Sequence, residues 1–149
     1  MHVTLKFIGH VDAEKLDSII AALAEVRSDA PVEMRFHGVG FFPTERRPRV
    51  FWCGIEASPN LAEIASGVDG ALMPLKIPAE DRKFVPHLTL ARFYSPHGLA
   101  KLLEAAAELQ SLDLGSTREA EFHLFESILQ KSGAEYARLK SFAFVKGAA

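Results

Sequence analysis

His2-Val3-Thr4-Leu5 and His87-Leu88-Thr89-Leu90 are the two stretches that decide how this chain is read. Each sets a histidine and a threonine two positions apart, with a leucine following. Along an extended strand side chains alternate between faces, so residues i and i+2 share one. His2 and Thr4 then point one way while Val3, Leu5 and Phe7 point the other. His87 and Thr89 repeat the arrangement over Leu88 and Leu90. A strand of this kind lies with its apolar face on a core and presents imidazole and hydroxyl outward. Two such strands supply two imidazoles and two hydroxyls, enough for acid–base work on a phosphate.

Working outward, His2 to Ile8 reads as a strand ended by Gly9. Asp12 is placed to cap a helix to about Arg27, with Leu16, Ile19, Ile20, Leu23 and Val26 on one face. Pro31 breaks it, and Val32 to Val39 reads as a strand. Gly40 to Pro48 is a Gly-, Pro- and Arg-containing loop before a strand over Arg49 to Glu56. Ser58-Pro59 is a helix start, with Ser at N-cap and Pro at the first helical position, leading into Leu61, Ile64, Ala65, Val68 and Leu72. Glu80 to Val85 is a charged loop, and Phe84 to Phe93 carries the second motif strand. Leu99 to Leu109 predicts a further helix. Glu119 to Leu129 and Glu135 to Val145 read as two strands joined at Ser132-Gly133.

These elements form an internal repeat. Glu33-x-x-Phe36-His37 aligns with Glu119-x-x-Phe122-His123 at an offset of 86, and the motif histidines are offset by 85. Two different landmarks at nearly one offset point to duplication. The expected fold is α+β: one domain over residues 1–149, built as two similar lobes of mostly antiparallel sheet with helices outside. In the second copy the strand from Arg49 and the helix from Pro59 precede the motif at His87; His2 has no such counterpart. By symmetry an upstream strand and helix are expected. Without them the first lobe is expected to carry an unpaired sheet edge, with three outcomes open: a dimer through that edge, capture of a neighbour's segment, or weak activity.

Composition sets bounds on partners and compartment. At 149 residues with 48% hydrophobic and 24% charged residues, the chain has the make-up of one ordinary globular domain. A net charge of −2 argues against a broad basic face, so any nucleic-acid contact is local. The one cysteine, Cys53, allows no internal disulfide and reads as a small core residue. No apolar run approaches the length of a membrane span, and the start lacks signal-peptide character. No membrane partner is expected, and the cytoplasm is the default compartment.

Phosphodiester cleavage by water needs a base to take a proton from water and an acid to protonate the leaving oxygen. Histidine serves either role because its unperturbed pKa is about 6.5. Threonine hydroxyls donate hydrogen bonds to phosphoryl oxygens and hold the phosphorus in line. Single-copy His-x-Thr-Leu is most simply a half-buried strand with incidental polar residues; two copies at matching places favour chemistry. His10, His37, His97 and His123 form no metal-ligand spacing and read as surface or partly buried residues. No metal or other cofactor is expected. Arg46, Arg47 and Arg49 read as solvated hairpin charges. Arg92 follows Thr89 closely enough to fork onto a phosphate, but strict alternation sets it on the opposite face, so it reaches the phosphate only if the strand twists or ends there. Phe41 and Phe42 are placed either to stack on a base or to fill the core.

Paired His-x-Thr motifs in a two-lobed repeat resemble the two-histidine (2H) phosphoesterases. The chain most resembles the RNA 2′,3′-cyclic phosphodiesterases once named 2′-5′ RNA ligases. Phe36–Pro43 (FHGVGFFP), Arg47–Ile55 (RPRVFWCGI), His87–Arg92 (HLTLAR) and Phe125–Tyr136 (FESILQKSGAEY) carry the likeness, which spans essentially the whole chain. The resemblance implies an active-site groove between the two lobes, and hydrolysis there of a terminal 2′,3′-cyclic phosphate, on RNA or a cyclic nucleotide, to a 2′-phosphate without metal. It implies His2 as proton donor, His87 as proton acceptor, and Thr4, Thr89 and Arg92 as phosphate ligands. The strand and helix that precede the first motif in the family have no counterpart here. The alternative is a non-catalytic module that holds an RNA end or nucleotide, with a degraded first lobe.

Overall fold

The computed structural model describes residues 1–146. Its strands are β1 (Val32–Phe42), β2 (Val50–Ala57), β3 (His87–Arg92), β4 (Asp113–Glu119), β5 (Glu121–Gln130) and β6 (Gly133–Ala143). Its helices are α1 (Leu16–Leu23), α2 (Asn60–Leu72) and α3 (Leu99–Glu108), with short 3-10 turns at Ala13–Lys15 and Met73–Leu75. The strands form a four-stranded sheet in the order β3-β2-β1-β4 and a two-stranded β5-β6 sheet. The fold class is α+β, as expected.

Two compact units interleave along the chain. The first comprises Met1–Leu5, Glu33–Ser58 and Lys83–Thr117. It holds both His-x-Thr motifs, so the repeat boundary in the sequence is not the boundary between the units. Its core forms where Val39, Phe41 and Phe51 on one sheet face meet Ala106, Leu102 and Leu103 of α3. Phe41 is thus a core residue, its ring 5.0 Å from that of Phe51. The second unit comprises Lys6–Val32, Pro59–Arg82 and Arg118–Ala149. There α1 packs on α2, burying Ile19 and Leu23 from one helix and Leu61, Ile64, Val68 and Leu72 from the other.

Several elements differ from the sequence reading. His2 to Ile8 is not a continuous strand; Val3 makes one isolated antiparallel bridge, to Leu88. The chain bends at Leu5, and the Lys6 ammonium is committed to the Asp69 carboxylate at 2.5 Å and the Pro78 carbonyl at 2.7 Å. The first helix ends at Leu23, short of Arg27, and Asp12 makes no side-chain cap. Pro59, not Ser58, takes the N-cap position of α2, and the Ser58 hydroxyl accepts the Glu33 N–H at 2.9 Å. β1 runs three residues beyond Val39, because Gly40 to Phe42 stay paired with Val50 to Trp52.

Strand β4 had no sequence signal. Its residues DLGSTRE are mostly exposed and lack apolar alternation. Its strand state comes from lying beside β1, where Arg35 pairs with Asp113 at 2.9 Å and the Gly38 N–H donates to the Leu112 carbonyl. Gly38 sits at φ 69° in the irregularity between Phe36 and Val39, a left-handed conformation that glycine adopts without steric cost.

Candidate active site

The two motifs meet in one unit. Because Val3 bridges Leu88 in antiparallel sense, the register sets His2 across from Thr89 and Thr4 across from His87. Leu88 in turn pairs with Cys53, which is 1% exposed, so Val3 and Leu88 occupy the core side. His2, Thr4, His87 and Thr89 are left together on the other face. The two histidines lie on a diagonal of this four-residue patch, as do the two threonines. Diagonal neighbours across an antiparallel pair have Cα atoms roughly 7–8 Å apart, room for a phosphate between the imidazoles.

A second irregularity brings in Arg92. Trp52 pairs with Thr89 and Phe51 with Ala91, so Leu90 is an extra residue on β3 opposite no partner. This bulge resets the alternation. Arg92 pairs with Val50, two residues from Trp52 and hence on the same face of β2, so Arg92 joins Thr89. The strict alternation expected from sequence is overturned by that one inserted residue. Thr89 is half-buried and Arg92 exposed.

The imidazoles have different surroundings. His87 Nδ1 lies 2.8 Å from the Val85 carbonyl oxygen. A carbonyl only accepts, so Nδ1 carries the hydrogen and, in the neutral ring, Nε2 keeps its lone pair. The Phe42 ring meets the His87 ring edge-on, with centroids 5.1 Å apart at 85°. Phe42 also packs on Trp52 at 5.1 Å. The Trp52 indole covers Gly40, where any Cβ would lie only 2.2 Å from a ring carbon. The packed stack from Gly40 through Trp52 and Phe42 thus ends on the His87 ring and encloses Trp52 Nε1, which has no acceptor among the described residues. His2 is held below the usual histidine pKa, first by burial, then by the N-terminal ammonium, then by the Arg92 guanidinium. The Arg92 charge therefore reaches the His2 ring.

The remaining candidates fall elsewhere. His10 and His97 are exposed, while His123 Nδ1 lies 2.9 Å from Ser141 Oγ in the second unit. Burial pushes the Cys53 thiol pKa up, which suits a packing residue and not a nucleophile. Among the described residues no group of three or more His, Cys, Asp or Glu side chains is arranged to hold a metal ion. No helix among them is long and apolar enough to cross a membrane. Sequence reasoning missed the roles of Val85, Trp52 and Phe42 around His87. Only Trp52, a bulky aromatic in a strand, and Phe42, an aromatic beside Gly40, carried a signal.

The profile of the 2′-5′ RNA ligase superfamily matches residues 1–126. The chain belongs to that superfamily. Superfamily relatives named RNA 2′,3′-cyclic phosphodiesterase include one from Methanothermobacter thermautotrophicus, 34% identical over 143 residues, covering 95% of this chain and 77% of the relative. Another, from Aeropyrum pernix, is 34% identical over 140 residues, covering 93% and 78%. A solved structure from Thermus thermophilus superposes with a TM-score of 0.80 at 29% identity, covering 99% of this chain and 79% of that one. Escherichia coli LigT complexed with 3′-AMP superposes with a TM-score of 0.73 at 25% identity, covering 97% and 77%. The resemblance drawn from the motifs is thereby confirmed, and with it the α+β fold of the 2′-5′ RNA ligase superfamily.

Proposed function

We propose that this protein hydrolyses the 2′,3′-cyclic phosphate at the end of an RNA, or of a cyclic nucleotide, to a 2′-phosphate. The observation that carries this reading is the Val3–Leu88 bridge, which aligns the two motifs on one face. The names of the relatives support the substrate class. In the proposed reaction the His87 Nε2 lone pair takes a proton from water as the water oxygen attacks phosphorus. The P–O3′ bond breaks, and O3′ takes the proton of the His2 imidazolium. The diagonal setting of the imidazoles suits attack and departure from opposite sides of the phosphorus. Thr4 and Thr89 donate to the phosphoryl oxygens, and the Arg92 guanidinium offsets their growing charge. No step calls on a metal.

The rival reading, a module that holds an RNA end without turning it over, draws on the depressed pKa of His2, which disfavours the charged form a proton donor needs. One assay separates them. Cytidine 2′,3′-cyclic phosphate and a cyclic-ended oligoribonucleotide are incubated with the protein, with and without EDTA, and followed by phosphorus NMR. The expected product is the 2′-phosphate, formed equally with chelator present. Binding without turnover supports the rival; a 3′-phosphate product or complete inhibition by EDTA overturns the proposed chemistry.

A further inference from the structure

We infer that the turn joining β1 to β2 is a binding surface for the phosphate backbone of single-stranded RNA, upstream of the cyclic end. The inference rests on the proposed function and names the body of its substrate. Arg46, Arg47 and Arg49 are exposed, and none of them has a carboxylate partner among the described residues, although the exposed Glu45 lies in the same turn. Three unpaired guanidiniums within four residues stand out in a chain whose formal net charge is −2. Such a local positive field attracts a polyanion where the protein as a whole does not.

The backbone ties this turn to the active site. The Arg49 N–H donates to the Phe42 carbonyl at 2.7 Å, and the Arg49 carbonyl accepts the Phe93 N–H at 2.9 Å. The base of the turn is thus stitched to the end of β3, one residue past Arg92. Arg92 itself lies on the face of Thr89 and its charge reaches His2. Positive charge therefore runs from the imidazole patch through Arg92 to the turn. Tyr94, 90% exposed, stands two residues beyond Arg92 and offers a face on which an unpaired base stacks. A basic run with an open aromatic beside it suits single-stranded RNA. A cyclic mononucleotide has no further phosphate to reach Arg46 and Arg47.

The test compares wild type with the double variant Arg46→Gln/Arg47→Gln on two substrates, cytidine 2′,3′-cyclic phosphate and a cyclic-ended single-stranded oligoribonucleotide. For the oligomer, KM is expected to rise about tenfold. The dependence of log KM on log salt should flatten by about 1.4, from about 0.7 per lost phosphate contact on a single strand. Mononucleotide kinetics should stay within about twofold. An unchanged oligomer KM and salt slope overturns the inference, as does an equal loss on both substrates. If wild type turns over neither substrate, the proposed function fails. The inference is then decided by fluorescence anisotropy with the same labelled oligomer and variants, read for the same loss of affinity and salt slope. Equally tight binding of a duplex of the same length overturns the single-strand assignment.

Discussion

Val50 pairs with Arg92 across the β2–β3 ladder, although Arg92 is three residues from Thr89 and an unbroken strand would have turned it to the core side. The extra residue at Leu90 makes the difference. Arg92 should then act on the phosphate and on His2 together. Arg92→Met is expected to lower kcat/KM by about 10²-fold or less, within the range of a lost charge-assisted contact. It should also raise the His2 pKa, because the guanidinium lowers it. Proton NMR titration of the His2 ring checks the second effect; an unmoved or lowered pKa would show that Arg92 does not face the imidazole.

His87→Ala should remove turnover and leave the fold intact. His87 projects from the face away from the core contacts of Leu88. Loss of a general acid or base costs about 10²–10⁴-fold in rate. A variant that keeps more than about a tenth of the wild-type rate, with unchanged circular dichroism, contradicts the assignment.

The depressed pKa of His2 has a signed consequence for pH dependence. A proton donor works in its charged form, so activity falls as pH rises through its pKa. In the free protein that limb should lie below the ordinary histidine value of about 6.5 and appear in kcat/KM. A bound phosphate anion opposes the ammonium and Arg92, so the same limb in kcat should move to higher pH. A flat profile from about pH 5 to 9 would count against two-histidine catalysis.

Gly40→Ala would drive a methyl group into the Trp52 indole, whose movement is passed through Phe42 to His87. Overpacking of this kind costs about 1–3 kcal/mol. The melting temperature should drop and kcat should fall more than KM changes. Phe42→Leu keeps the volume close and removes the ring edge from His87, so it should lower kcat several-fold with little loss of stability. Unchanged kcat in both variants would show that the aromatic stack does not position the imidazole.

The chain's periodicities determined a good deal without any structure. Alternation put His2 beside Thr4 and His87 beside Thr89, though the bulge takes Leu90 away from Leu88, and 3.6-residue spacing located α1, α2 and α3, because both periodicities are properties of the local backbone. The motif likeness located the superfamily. Pairing was another matter. That Val3 bridges Leu88, and that one residue bulges at Leu90, depends on hydrogen bonds between segments far apart in the chain, on which local pattern is silent. The same holds for β4, a polar run that is a strand only because β1 lies beside it. Ser58 looked like the N-cap of α2 in sequence, but Pro59 holds that position and the Glu33 N–H donates to the Ser58 hydroxyl. Sequence determined the chemistry each strand presents, whereas tertiary structure decided which strands stand together, since a backbone donor or side chain can serve only the partner that the fold brings to it.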